Sequence, residues 1–187
     1  KWPDPSTKSV KLSAVQNNSE IALLLEWDDA TLENKIEVSA THTDQAAIMF
    51  PLSPDKEVPL ITMGSENEIV NIWQWRAIWE KSLNTKSRSS DRNLKMSTFG
   101  NDRPSSVEDL TAAGYSTLTA QEEQDVLGRG TWRDKTWRVV FKRSLVNSDN
   151  ADIQFKYPIA MAIAVWNGGN GERNGQKGIS NWILLRL

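Results

Sequence analysis

The 187-residue sequence contains no cysteine. That absence excludes structural disulfides, iron–sulfur clusters, thiolate zinc sites and the C-x-x-C-H attachment of a covalent haem. It leaves the compartment open, since a chain without thiols suits cytosol and periplasm alike. Histidine occurs once, as His42, and no H-x-x-x-H or comparable cluster supplies the several ligands a zinc enzyme needs. An excess of positive charge is also missing: 22 basic and 24 acidic residues are interspersed, for a net charge of −2. Nucleic acid and anionic membranes demand a basic face, so neither is expected as a partner. No apolar run approaches the ~20 residues of a membrane helix, and no membrane span is expected. The G-x-S-x-G elbow, the P-loop and a G-x-G-x-x-G after a strand are all absent. The residues KWPDP at the start do not form a signal peptide and are equally compatible with a mature N-terminus from which one was removed.

What the sequence has in excess is tryptophan, nine in all. Trp2, Trp27, Trp73, Trp75, Trp79, Trp132, Trp137, Trp166 and Trp182 could form an aromatic core, line a cleft for a flat ligand, or stack on sugars. Around them the pattern is one of short strands. Ser9–Val15 alternates apolar and polar residues, and the turn Asn17-Asn18-Ser19 connects it to the apolar Glu20–Trp27. Lys35–Ala40 alternates again, and Gln45–Phe50 is stopped by Pro51, which cannot donate to a ladder. Leu60–Gly64 is a brief apolar piece. Ile69–Ile78 places Trp73, Trp75 and Ala77 on one face and Ile72, Gln74, Arg76 and Ile78 on the other; its aromatic and β-branched content favours strand. Gly130–Arg143 turns at Asp134-Lys135 and alternates through Trp137, Val139 and Phe141. Ser105-x-x-Glu108 and Thr119-x-x-Glu122 carry the capping-box pattern and predict two short helices; Glu122-Glu123 then falls on a solvated helix face rather than in a catalytic pair. Residues 84–106, rich in Ser, Asn, Arg and Lys, read as one long polar loop excursion, a candidate partner-docking arm. Residues 1–187 are thus expected to form a single all-β domain, an antiparallel immunoglobulin-like β-sandwich with a few short helices.

The C-terminal run stands apart. Ile159–Trp166 and Ile179–Leu187 are strand-like, and the loop between them, residues 167–178, has no apolar side chain and half of the chain's 10 glycines. Glycine lets the backbone approach a ligand closely. Lys177 sits at the far end of this loop. A lysine there is ordinarily solvated; a metal would have to stabilise the neutral amine against a free pKa of about 10.4. Among the four methionines, Met49 and Met161 read as core packing and Met96 lies in the polar excursion. Met63 closes an apolar segment and is followed at once by Gly64, which frees the backbone to turn the thioether toward a cleft.

Four segments in this order resemble the haem-binding gamma subunits of type II members of the dimethyl sulfoxide reductase family: DQAAIMFP; PLITMG followed by NIWQWRAIW; RGTWRDKTWRVVFKRSL; and IAVWNGGNGERNGQKGISNWILLRL. Ethylbenzene dehydrogenase, dimethyl sulfide dehydrogenase, selenate reductase and chlorate reductase are the familiar members. The resemblance implies a β-sandwich holding one non-covalent haem b between a methionine and a lysine. The methionine of the P-x-x-x-M-G pattern is Met63, and the lysine of the E-R-x-G-x-K pattern is Lys177. Phe50, Trp73, Trp75 and Trp166 are candidate walls of the haem pocket, and Arg76 or Arg173 candidate partners of the propionates. The function implied is that of a non-catalytic electron-transfer subunit. It would work beside a molybdopterin-containing catalytic subunit and an iron–sulfur subunit, exchange electrons with a soluble cytochrome or similar carrier, and reside in the periplasm. Two other readings stay open: a haem held by Met63 and His42, and a carbohydrate-binding β-sandwich module without haem.

Overall fold

The computed structural model of the chain describes residues 4–35, 41–53, 57–80, 83 and 105–187. The all-β sandwich read from the sequence is what the structure shows. Among the described residues eleven strands run β1 (Lys11–Gln16), β2 (Glu20–Asp28), β3 (Gln45–Pro51), β4 (Val70–Arg76), β5 (Val107–Ala112), β6 (Thr119–Ala120), β7 (Leu127–Arg133), β8 (Thr136–Ser144), β9 (Ile159–Trp166), β10 (Gly178–Ile179) and β11 (Ile183–Leu185). They form a four-stranded sheet ordered β1-β2-β8-β7 and a seven-stranded sheet ordered β10-β9-β3-β4-β5-β6, with β11 also paired to β9. Every pairing is antiparallel.

The turns are where their residues demand. Asn17 Oδ1 accepts from the N–H groups of Ser19 and Glu20 at 2.8 Å each, tightening the β1–β2 hairpin. Asp134 and Lys135 both take positive φ between β7 and β8, the twist that a two-residue hairpin requires. Two local expectations give way to tertiary pairing. The predicted helices at Ser105 and Thr119 are strands β5 and β6. The Ser105 hydroxyl accepts from the N–H groups of Val107 and Gly128 (3.1 and 2.7 Å), so it joins β5 to β7 instead of capping a helix. Leu60–Gly64 is a turn, and the strand expected to reach Ile78 ends at Arg76 in a helical turn at 77–80. The strand expected at Lys35–Ala40 and the polar excursion fall largely on residues 36–40 and 84–104, outside the described residues.

The core between the sheets follows from period-two alternation. Ile21, Leu23, Leu25 and Trp27 of β2 face Ile48, Phe50, Trp73, Trp75, Met161 and Ile163 of the larger sheet, all buried. The tryptophans interlock: Trp75 lies 4.7 Å from Trp137 and 6.2 Å from Trp27, edge to face in both pairs. The strands β3, β4 and β9 are buried on their outer faces as well. A second apolar cluster there contains Ala47, Met49, Ile72, Leu110, Ala162, Ala164 and Trp166. An antiparallel sheet normally leaves one face to water. Here something covers both.

Candidate functional site

What covers the outer face of the larger sheet is a set of loops standing around a cleft of about 820 Å³. Its floor is set by strand register. The first outward-facing rung is Trp166, Gln45 and Arg76; the second is Ala164, Ala47 and Gln74; the third is Ala162, Met49 and Ile72. Rungs two residues apart lie about 7 Å from one another. The floor is therefore polar at the Arg76 end and apolar at the Met49 end. Three alanines at its centre keep side-chain bulk away, leaving a flat, apolar bed.

One wall is the turn at residues 61–63. Met63 adopts a φ of 76° and Gly64 a φ of 78°. For a residue with a Cβ such a conformation costs of order 1–3 kcal/mol and persists only where its surroundings enforce it. They do: the Gly64 N–H donates to the Leu60 carbonyl (2.9 Å), and the Met63 carbonyl accepts from the Gly114 N–H (2.9 Å). The side chain of Met63 lines the cleft and packs on the outer apolar cluster. A Cβ at Gly64 would stand 2.2 Å from the Glu68 carbonyl oxygen, a backbone atom that cannot step aside. Gly64→Ala is expected to cost roughly 2–4 kcal/mol, strain and overpacking together, measured as a lowered midpoint in urea. A midpoint within error of wild type would show that the turn is not held as described.

Another wall is the glycine-rich loop. Asn167 opens it: its side chain accepts from the Asn170 N–H at 2.8 Å. Glu172 binds the loop together, taking the Asn167 N–H (2.9 Å), the Asn170 amide (3.0 Å) and the Ser6 N–H and hydroxyl (2.8 and 3.0 Å). Burial alone would raise its carboxyl; these bonds outweigh it and hold the pKa below its ordinary value. Trp166 Nε1 donates to the Asn174 carbonyl at 3.0 Å, and the Lys177 ammonium lies 4.8 Å from the Trp166 ring centroid. Burial lowers the Lys177 pKa, and among the described residues no carboxylate pairs with it.

Met63 and Lys177 thus line one cleft, as do Arg76, Arg173 and Trp166. Phe50, Trp73 and Trp75 do not. They project from β3 and β4 into the inter-sheet core, on the other side of the sheet, and are fully buried there. Alternation explains the correction: on β4 the cleft receives Ile72, Gln74 and Arg76, so residues 73 and 75 must point away. His42 and Met49, the latter read from sequence as core packing, also line the cleft. Among the described residues Trp27, Trp73, Trp75, Trp137 and Trp166 are buried, and Trp79, Trp132 and Trp182 are half-buried.

Sequence reasoning passed over Asp44. Its carboxylate, wholly buried, accepts from the Glu33 N–H (2.8 Å), the Gly168 N–H (2.9 Å) and Trp137 Nε1 (3.1 Å). It ties the glycine-rich loop to the segment carrying His42. Burial nevertheless pushes it up to about 7, and Asp109, buried beside Asp152, is pushed up to about 9. The folded protein therefore keeps protons that the unfolded chain releases near pH 4. Stability falls as pH rises from about 4 toward 7, by up to about 1.4 kcal/mol per unit for each such group. Glu172 acts oppositely, its contribution present above about pH 4.5 and lost as pH falls through its lowered folded value. The melting temperature is expected to peak at about pH 4 to 4.5 and drop by pH 7.5; a flat profile would refute the assignment.

The sequence profile described as ethylbenzene dehydrogenase matches residues 3–108 and 105–178. The provisionally named respiratory nitrate reductase haem subunit ORF7 of Haloferax mediterranei is 28% identical over 182 residues, 96% of this chain and 56% of that protein. The chlorate reductase subunit gamma of Ideonella dechloratans is 28% identical over 185 residues, covering 97% of this chain and 66% of its own length. The dimethylsulfide dehydrogenase subunit gamma of Rhodovulum sulfidophilum is 29% identical over 171 residues, 87% of this chain and 54% of that protein. The chain spans roughly half to two thirds of the length of these relatives.

Proposed function

The chain belongs to the ethylbenzene dehydrogenase family, and from that premise we propose that it is a non-catalytic electron-transfer subunit holding one haem b, with Met63 and Lys177 as the axial ligands. The observation that supports the reading is that these two residues, far apart in sequence, line one cleft. The residues present fit the group. The cleft's volume lies within the usual range for small-molecule sites. Its alanine-floored, apolar end suits a porphyrin face, and its polar end has Arg76 and Arg173 to face two propionates. Haem, when bound, supplies a site that takes up and releases one electron.

The chain's own residues would set the terms. Lys177 must offer a neutral amine, and burial has already moved it in that direction. The Met63 thioether, uncharged, favours the ferrous state and raises the potential. Two protein ligands would leave no open coordination position, which suits electron transfer rather than oxygen chemistry. Trp166 anchors the lysine loop through Asn174. The relatives named as gamma subunits of chlorate reductase and dimethylsulfide dehydrogenase support a place beside a molybdopterin-containing catalytic subunit and an iron–sulfur subunit. A soluble cytochrome or similar carrier would be the other electron partner, and the periplasm the location.

The test is titration of haemin into the purified protein. A Soret band saturating at one haem per chain is expected, with a six-coordinate low-spin spectrum in both oxidation states. Ala47→Trp, which fills the floor, should abolish the band while the circular dichroism spectrum stays that of wild type. Absence of a saturable band in wild type, or its survival in Ala47→Trp, would overturn the proposal. A second reading is favoured by one observation: His42 lines the same cleft, so a Met63/His42 pair is the alternative ligand set.

A further inference from the structure

The loop of residues 167–178 contains the dipeptide Asn-Gly three times, as Asn167-Gly168, Asn170-Gly171 and Asn174-Gly175. Asn-Gly carries a latent reaction: the glycine nitrogen, once deprotonated, attacks the carbonyl carbon of the asparagine side chain. Glycine has no Cβ to hinder the approach. The three pairs share this chemistry in the unfolded chain, so any difference between them belongs to the fold.

Two of the three are locked at both reacting groups. The Asn167 amide donates to Asp29 (3.1 Å) and its oxygen accepts from the Asn170 N–H (2.8 Å), while the Gly168 N–H donates to the Asp44 carboxylate (2.9 Å). The Asn170 amide donates to Glu172 (3.0 Å), and the Gly171 N–H donates to the Gly168 carbonyl (2.9 Å). Each side chain and each attacking nitrogen is thus held by a partner of its own.

Asn174 differs. It is exposed, and among the described residues neither its side chain nor the Gly175 N–H has a hydrogen-bond partner. A Cβ at Gly175 would meet nothing within 4 Å, so the space around the attacking nitrogen is open. The Asn174 carbonyl belongs to the same peptide unit as that nitrogen, and it accepts from Nε1 of the buried Trp166 at 3.0 Å. A trans peptide directs its N–H away from its carbonyl, so the indole turns the Gly175 N–H outward. A hydrogen bond to the oxygen also stabilises the anion left when the N–H loses its proton, as does the positive charge of the adjoining Arg173.

We propose that Asn174 is a site of spontaneous deamidation, singled out from its two neighbours by the fold. The Gly175 nitrogen bonds to the Asn174 side-chain carbon and the amide nitrogen leaves as ammonia. Water then opens the cyclic imide to aspartate or isoaspartate. No oxidant or enzyme enters. The product replaces a neutral amide with a carboxylate on the lining of the cleft that also holds Arg173 and Lys177. Negative charge there favours the Lys177 ammonium over the amine and so opposes ligation; that last consequence, unlike the reaction, rests on the haem reading.

The experiment is incubation of the whole protein at mildly alkaline pH, folded and in urea, with peptide mapping by mass spectrometry at intervals. In the folded chain aspartate and isoaspartate are expected at position 174 while Asn167 and Asn170 persist; in urea all three should convert at similar rates. Gly175→Ala meets no neighbour and takes no positive φ, so it should fold like wild type, and its Cβ should slow conversion by about tenfold. Asn174→Asp, a stand-in for the product, should raise the Lys177 pKa, read by NMR without haem. The proposal fails if the folded chain converts Asn167 or Asn170 as fast as Asn174, or keeps Asn174 intact while the unfolded chain loses it. A Lys177 pKa unmoved in Asn174→Asp would overturn the coupling to the cleft. None of these readouts uses haem, so a wild type that binds none leaves them in force.

Discussion

Lys177→Ala in the haem-loaded protein is expected to abolish the six-coordinate low-spin spectrum and to weaken haem retention by more than about tenfold, an effect at least as large as those of losing a ligand's supporting contacts. Burial lowers the pKa of this amine, and no carboxylate among the described residues holds it charged. Met63→Leu removes the sulfur at nearly constant volume, so the outer apolar cluster stays filled. It should give the same loss of six-coordination with little change in melting temperature. The loop and turn that carry the two residues are held by their own hydrogen bonds, so neither variant should unfold. His42→Ala serves as the discriminating control. If it converts the spectrum and Lys177→Ala does not, the ligand pair is Met63 and His42, and the glycine-rich loop serves only to wall the cleft.

Trp75→Ala is expected to be the most destabilising single change, at about 3–5 kcal/mol. At roughly 2–4 °C per kcal/mol for a chain of this size, the melting temperature falls by about 6–20 °C. The indole is fully buried. It packs edge to face against Trp27 and Trp137, and its Nε1 donates to Glu80 at 2.9 Å. On its far side it fills the space that a Cβ at Gly130 would occupy, 2.3 Å from the ring. Alanine would leave a cavity that two rigid sheets cannot collapse. The same variant separates core from cofactor site. Because Trp75 points away from the cleft, the haem spectrum of the fraction that remains folded should match wild type. A spectral change with unchanged stability would mean that the strand faces the other way.

The period-two alternation made most strands legible, because it is a local property of burial on one face. The sequence of β4 even displays which residues share a side: Trp73 with Trp75, Ile72 with Gln74 and Arg76. Alternation does not say which side meets the other sheet, so Phe50, Trp73 and Trp75 passed for cofactor walls. A signal was present in the small residues. Ala160, Ala162 and Ala164 recur at every second position of β9, beside Ala47 on β3, which marks a face kept clear for something other than a neighbouring strand. The capping patterns at Ser105 and Thr119 misled for a related reason. A serine hydroxyl accepts from any nearby N–H, and the ladder with β4 and β7 offered better partners than a helix's first turn.

The sequence by itself determined the chemistry at hand: no thiol, one imidazole, a thioether before a glycine, a lysine ending a glycine-rich loop, and strands enough for a sandwich. Each of these depends only on residue type and near neighbours. The tertiary structure alone decided that the Met63 turn and the Lys177 loop stand over the same floor, that Asp44 ties that loop down, and that Asp109 and Asp152 meet. Such meetings depend on which strands pair and in what register. Pairing is chosen by burial summed over the whole chain, and no local stretch carries that sum.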